Sequence, residues 1–83
     1  MKQRLFLTFD RVAINTPILS QMTNRFEVMF NIFGATVNET TQFIALELEG
    51  EQDRVDGAIA FLEAQGVKVE SSEGQKNESD GLA

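Results

Sequence analysis

The sequence predicts an α+β fold of order βαββαβ: a four-stranded antiparallel sheet with two helices on one face. Three observations carry this reading. Four short runs have apolar residues at a spacing of two, the period of a strand. Two stretches with apolar residues at helical spacing fall between them. The joints are marked by Asn15-Thr16-Pro17, Gly50 and Gly66, residues that start helices or end elements.

Lys2 to Phe9 reads as the first strand, with Leu5, Leu7 and Phe9 on one face and Arg4, Phe6 and Thr8 on the other. Asp10 to Thr16 forms a loop. The first helix opens at Asn15-Thr16-Pro17, where a capping side chain precedes a proline whose fixed φ suits the first turn. It runs to about Glu27, with Ile18, Leu19, Met22 and Phe26 as its apolar stripe.

Val28 to Val37 is the second strand, and both its rows are apolar: Val28, Phe30 and Ile32 on one, Met29, Phe33, Ala35 and Val37 on the other. A strand apolar on both faces is one covered on both faces. In so short a chain the second cover falls to another subunit or a ligand. Gly34 marks either a bulge or a close approach, which leaves open the row that faces the core.

Asn38 to Gln42 is a polar loop of hairpin length. Phe43 to Glu49 alternates as the third strand, with Ile44, Leu46 and Leu48 inward and Glu47 and Glu49 outward. The second helix spans about Glu51 to Gln65. Glu51 and Asp53 lie near its positive end, Val55, Ala58, Ile59 and Leu62 form its stripe, and Gly66 takes the left-handed conformation after it. Val67 to Glu70 is the last strand. Residues 1–70 therefore make one domain, and Ser71 to Ala83, polar, acidic and aperiodic, is expected to be a disordered tail. Two right-handed βαβ-type units in this order give the ferredoxin-like arrangement. One sheet face then has no cover within the chain, and Phe6 lies on it.

Composition narrows the function. The chain has 83 residues, and a domain so small buries only about 60% of its unfolded surface, so it gains from oligomerising. Net charge is −6, with 13 acidic and 7 basic side chains and no clustered basic patch. That balance argues against nucleic acid and against anionic membranes as partners. No apolar run approaches the ~18 residues of a membrane span, and Asp10 and Arg11 interrupt any signal-peptide core. With no cysteine, disulfides and thiolate metal sites are excluded, and the expected location is the cytoplasm. Histidine, tyrosine and tryptophan are also absent. Most nucleophile–base constellations thus lose a member, so the expectation is a binding protein, not an enzyme, and one without a cofactor.

Among individual residues Asn31 stands out, an amide within the apolar stretch Val28-Met29-Phe30-Asn31-Ile32-Phe33. Burial without partners would cost it about 1–3 kcal/mol. Those partners are either a ligand carboxylate or ammonium, or backbone in a bulge or across a subunit boundary. Glu47 and Glu49 share a strand face as a catalytic carboxylate pair would, but their alternation with an apolar row reads as solvated surface. Asp53 and Asp56 lack enough neighbouring oxygens for a hard cation and read as a solvated helix face. Phe6, Phe30 and Phe33 lack the interleaved basic residues of a base-stacking surface. Met22 and Met29 are residues more often used as core filler than as ligand contacts.

Three segments in order carry a resemblance: Thr16-Pro17-Ile18-Leu19-Ser20; Arg25-Phe26-Glu27-Val28 followed by Asn31-Ile32-Phe33; and Ala58-Ile59-Ala60-Phe61-Leu62 followed by Val67-Lys68-Val69-Glu70. Together they resemble the NIL domain, named for an Asn-Ile-Leu signature and best known as the C-terminal regulatory domain of the ATPase subunit in methionine ABC importers. The resemblance implies a ferredoxin-like fold that forms a homodimer and binds methionine near the dimer interface. Asn31 matches the signature asparagine, implicated in methionine sensing, while Phe33 stands where the signature has leucine. No Gly-rich phosphate loop is present, so a transporter role would need a separate partner chain.

The expectation that follows is a stand-alone regulatory protein that binds a methionine-like amino acid at a homodimer interface and signals to a protein partner. Asn31 would anchor the ligand, with Met29, Phe30 and Phe33 beside it and Ile14, Pro17 and Ile18 from the preceding loop and helix start. Phe6, Phe30, Ile32 and Phe33 would form the interface. The alternative is a ligand-free interaction module that docks a partner on the uncovered sheet face.

Overall fold

The computed structural model describes residues 1–10, 13 and 16–71. Its strands are β1 (Lys2–Phe9), β2 (Met29–Val37), β3 (Gln42–Glu49) and β4 (Lys68–Ser71); its helices are α1 (Ile18–Phe26) and α2 (Gln52–Ala64). Of the expected tail from Ser71 to Ala83, Ser71 belongs to β4, and residues 72 onward lie outside the described residues, as do Ile14 and Asn15 of the loop and expected helix start.

All strand pairs are antiparallel and the order across the sheet is β2-β3-β1-β4. β1 and β3 are therefore central and β2 and β4 are edges. The expected βαββαβ ferredoxin-like fold is borne out, with β4 displaced by one residue so that Ser71 pairs with Leu5.

The core lies between the sheet and the helices. Leu5, Leu7 and Phe9 of β1 and Ile44, Leu46 and Leu48 of β3 are buried against Ile18 and Met22 of α1 and Val55, Ala58 and Leu62 of α2. The inward rows are those that period-two and helical spacing predict. Phe61 is also buried, its ring 5.7 Å from that of Phe26 where the two helices meet. Every buried side chain among the described residues is apolar.

Local chemistry explains the element ends. The carbonyl of Pro17 accepts the first bond of α1, from the Gln21 amide. Proline thus occupies the N-cap, one position earlier than expected, and no side chain caps the helix. α2 ends in a Schellman motif: the Gly66 amide donates to the Glu63 carbonyl and the Val67 amide to the Leu62 carbonyl. The motif needs a left-handed residue, and Gly66 has φ 89°. In the β2–β3 hairpin, Asn38 Oδ1 accepts the amides of Thr40 and Thr41 at 3.0 and 2.8 Å.

β2 departs from the simple alternation. Ile32 pairs with Leu46 and Gly34 with Ala45, so Phe33 is an extra, bulged residue. The bulge shifts the phase of the strand. Phe30 and Ile32 before it, and Ala35 and Val37 after it, share the helix side with Leu48, Leu46, Ile44 and Gln42. Met29 and Asn31 lie on the open side with Glu49 and Glu47. The row read as Met29, Phe33, Ala35 and Val37 is thus split between the two faces, because strict alternation fails at an inserted residue.

Candidate functional site

β2 is the least covered element. Met29, Ile32, Phe33 and Val37 each keep half or more of their surface exposed, and only Phe30 packs partly against the core. As an edge strand β2 has a neighbour on one side only. An exposed apolar edge of this kind is what a second strand or a ligand covers in other sheets.

The sequence-predicted ligand residues fall into two groups. Met29, Asn31 and Phe33 are on the open side. Pro17 and Ile18 are on the helix side, where they line a groove of about 270 Å³ with Phe9, Ile32 and Ile44. Ile18 itself is buried in the core, and its contribution to that groove is a wall. Phe30 faces the helix side and is half-buried. Of the predicted interface residues, Phe6 and Phe33 are on the open face, and Phe30 and Ile32 are on the other. The two groups come close to each other only around the free edge of β2.

Asn31 is exposed, not enclosed by its apolar neighbours. Its side chain makes no hydrogen bond among the described residues, neither to bulge backbone nor to another side chain. Its amide remains available to a ligand or a second chain.

On the open face, Phe6 and Phe43 are exposed and flank a shallow groove of about 390 Å³ floored by Thr8, Ala45 and Gly34. Phe43 was not singled out by the sequence, although its place opposite Thr8 in the pairing of β1 with β3 puts it on this face. Arg4 is the other residue missed. Its guanidinium carbon lies 4.2 Å from the centre of the Phe33 ring, and its Nε is 4.0 Å from Glu47 Oε2. Glu47, expected as solvated surface, is half-buried. Once the β1–β3 register is known, Arg4 and Glu47 are directly opposite each other. Among the described residues no group of three or more acidic side chains gathers as a metal set.

Residues 3–71 match the NIL domain. The chain belongs to the NIL domain family. The likeness expected from the three sequence segments is therefore borne out, over nearly all the described residues. Methionine import ATP-binding protein MetN 1 of Burkholderia ambifaria is 37% identical over 70 residues, which cover 80% of this chain and 20% of that protein. Methionine import ATP-binding protein MetN 2 of Lactiplantibacillus plantarum is 29% identical over 68 residues, 77% of this chain and 20% of that one. This NIL domain thus spans about one fifth of the length of the relatives it matches. The crystal structure of the C-terminal domain of an ABC transporter/ATP-binding protein from Enterococcus faecalis superposes with a TM-score of 0.76 at 20% identity, covering 83% of this chain and 81% of that one. At that identity the likeness is one of fold.

Proposed function

We propose that this NIL domain is a cytoplasmic regulatory module that binds a methionine-like amino acid at a homodimer interface and signals to a protein partner. The observation that carries this reading is β2: an edge strand whose apolar side chains stay exposed on both faces, with the exposed amide of Asn31, unbonded to any described residue, in their midst. A second copy set against this edge would bring Met29, Asn31 and Phe33 of the open side within reach of Pro17 and Ile32 on the helix side. The relatives named for methionine import support the choice of ligand class. Ligand that binds one dimer arrangement better than another shifts the equilibrium toward it, and only that difference can reach a partner.

Isothermal calorimetry with L-methionine and a panel of other amino acids, paired with sedimentation of the free and loaded protein, tests the reading. Methionine should bind to a dimer, and Asn31→Ala should weaken that binding at least tenfold. Absence of heat from every amino acid at millimolar concentration overturns it.

A second reading rests on a different observation, the exposed Phe6 and Phe43 on the open face. In it the domain is a ligand-free adaptor that docks a protein there. Capture of a specific partner that survives Asn31→Ala and fails in Phe6→Glu supports the adaptor over the sensor.

A further inference from the structure

The strand register places three polar side chains in one row on the open face. Asn31 of β2 is opposite Glu47 of β3, and Glu47 is opposite Arg4 of β1. Adjacent strands lie about 4.8 Å apart, so the row spans about 10 Å. It holds one amide, one carboxylate and one guanidinium. Met29 lies on the same face of β2 two residues before Asn31, and Phe33 reaches the same row from the bulge.

These groups are largely unspent. Arg4 Nε and Glu47 Oε2 are 4.0 Å apart, beyond hydrogen-bond distance. Arg4 lies instead against the Phe33 ring, across β3. A guanidinium over a ring still carries N–H donors that can bond elsewhere. Among the described residues neither Glu47 nor Asn31 makes a side-chain hydrogen bond.

We propose that Arg4 and Glu47 read the two charged ends of the amino acid: Arg4 takes its α-carboxylate and Glu47 its α-ammonium, next to the amide of Asn31. This assignment rests on the amino-acid reading above and adds to it the residues that select a zwitterion. The loose Arg4–Glu47 pair opens to admit the ligand, and each charge then meets an opposite one at hydrogen-bond distance. The ligand's thioether chain lies along Met29 and Phe33. Phe33 acts as a positioning residue, holding the guanidinium flat so that its edge faces the row.

The test is calorimetry on the full chain and its Arg4→Gln and Glu47→Gln variants, titrated with L-methionine, methionine methyl ester and N-acetylmethionine. Both substituted side chains reach solvent, and circular dichroism checks that each variant is folded. The wild type should prefer methionine over the ester and over the N-acetyl compound by at least tenfold. Arg4→Gln should lose its preference against the ester alone, and Glu47→Gln its preference against the N-acetyl compound alone. Wild-type methionine affinity in both folded variants overturns the assignment and leaves the amino-acid reading standing. Failure of the wild type to bind any amino acid overturns both.

Discussion

Arg4 and Phe33 touch across an intervening strand: the guanidinium carbon is 4.2 Å from the ring centre although β3 separates β1 from β2. The contact depends on two local features. The bulge frees Phe33 from direct pairing, and Ala45, which lies between Gly34 and Phe6 in the register, carries only a methyl group. A cation over an exposed ring contributes about 0.5–1 kcal/mol. Phe33→Leu, which restores the leucine of the family signature, should therefore lower stability by no more than about 1 kcal/mol. A double-mutant cycle with Arg4→Gln, read from urea midpoints, should return most of that as coupling. A coupling indistinguishable from zero would mean the stacking contributes nothing.

Gly34 follows the bulge, yet a Cβ built on it meets nothing within 4 Å, and its φ is not in the left-handed range. No described residue of this chain requires glycine there. Because glycine inside a strand costs roughly 0.5–1 kcal/mol relative to alanine, Gly34→Ala should leave the isolated fold as stable as the wild type or slightly more so. Loss of self-association or methionine binding in this variant, with the urea midpoint kept, would place the close neighbour of Gly34 outside the chain. Loss of the fold itself would overturn this reading of the strand.

Leu46 and Ile32 are register partners with different surroundings: Leu46 is fully buried and Ile32 half exposed. Leu46→Ala removes side-chain volume from the centre of the core and should cost about 2–5 kcal/mol. That is a large part of the ~5–15 kcal/mol that holds a typical domain together, so much of the variant should be unfolded at 37 °C by circular dichroism. Ile32→Ala should cost the separate chain far less. If a second copy covers β2, its cost should also depend on protein concentration. Thermal midpoints of wild type and Ile32→Ala, measured at concentrations roughly a hundredfold apart, should diverge at the higher one. Parallel curves would show that Ile32 stays in water.

The two helices and the inward rows of β1 and β3 were legible because each is a long, regular pattern packed on one side. Leu5, Leu7, Phe9, Ile44, Leu46 and Leu48 repeat at period two without interruption, and all six are buried. Gly66 was legible because few residues other than glycine tolerate the backbone of a Schellman motif. The faces of β2 were not. A single inserted residue at Phe33 changes the phase of everything after it, and apolar side chains on both sides of the strand give no contrast from which to detect the insertion. The apolar context of Asn31 was also misleading: a run of apolar neighbours predicts burial only where another layer lies above them, and here the strand is at an edge. The row of Asn31, Glu47 and Arg4 needs the register of three strands. No one segment contains that register.

Glu27 sets two effects against each other. It follows α1 in the left-handed region, φ 56° and ψ 44°, where its amide donates to the Thr23 carbonyl. For a residue with a Cβ that conformation costs about 1–2 kcal/mol. Its carboxylate meets Arg54 Nη1 at 2.7 Å, but the two side chains are 68% and 44% exposed, and such a pair contributes about 0–1 kcal/mol after solvent screening. The backbone effect should win. Glu27→Gly, which relieves the conformation and loses the ion pair, should therefore raise the stability read from urea midpoints by about 0–2 kcal/mol. Glu27→Ala loses the pair and keeps the strained backbone, so it should fall below the wild type. Raising the salt concentration should narrow the gap between wild type and Glu27→Ala, since it weakens only the pair. If Glu27→Gly instead falls below the wild type, the ion pair with Arg54 outweighs the backbone cost, and the order of the two effects is the reverse of the one argued.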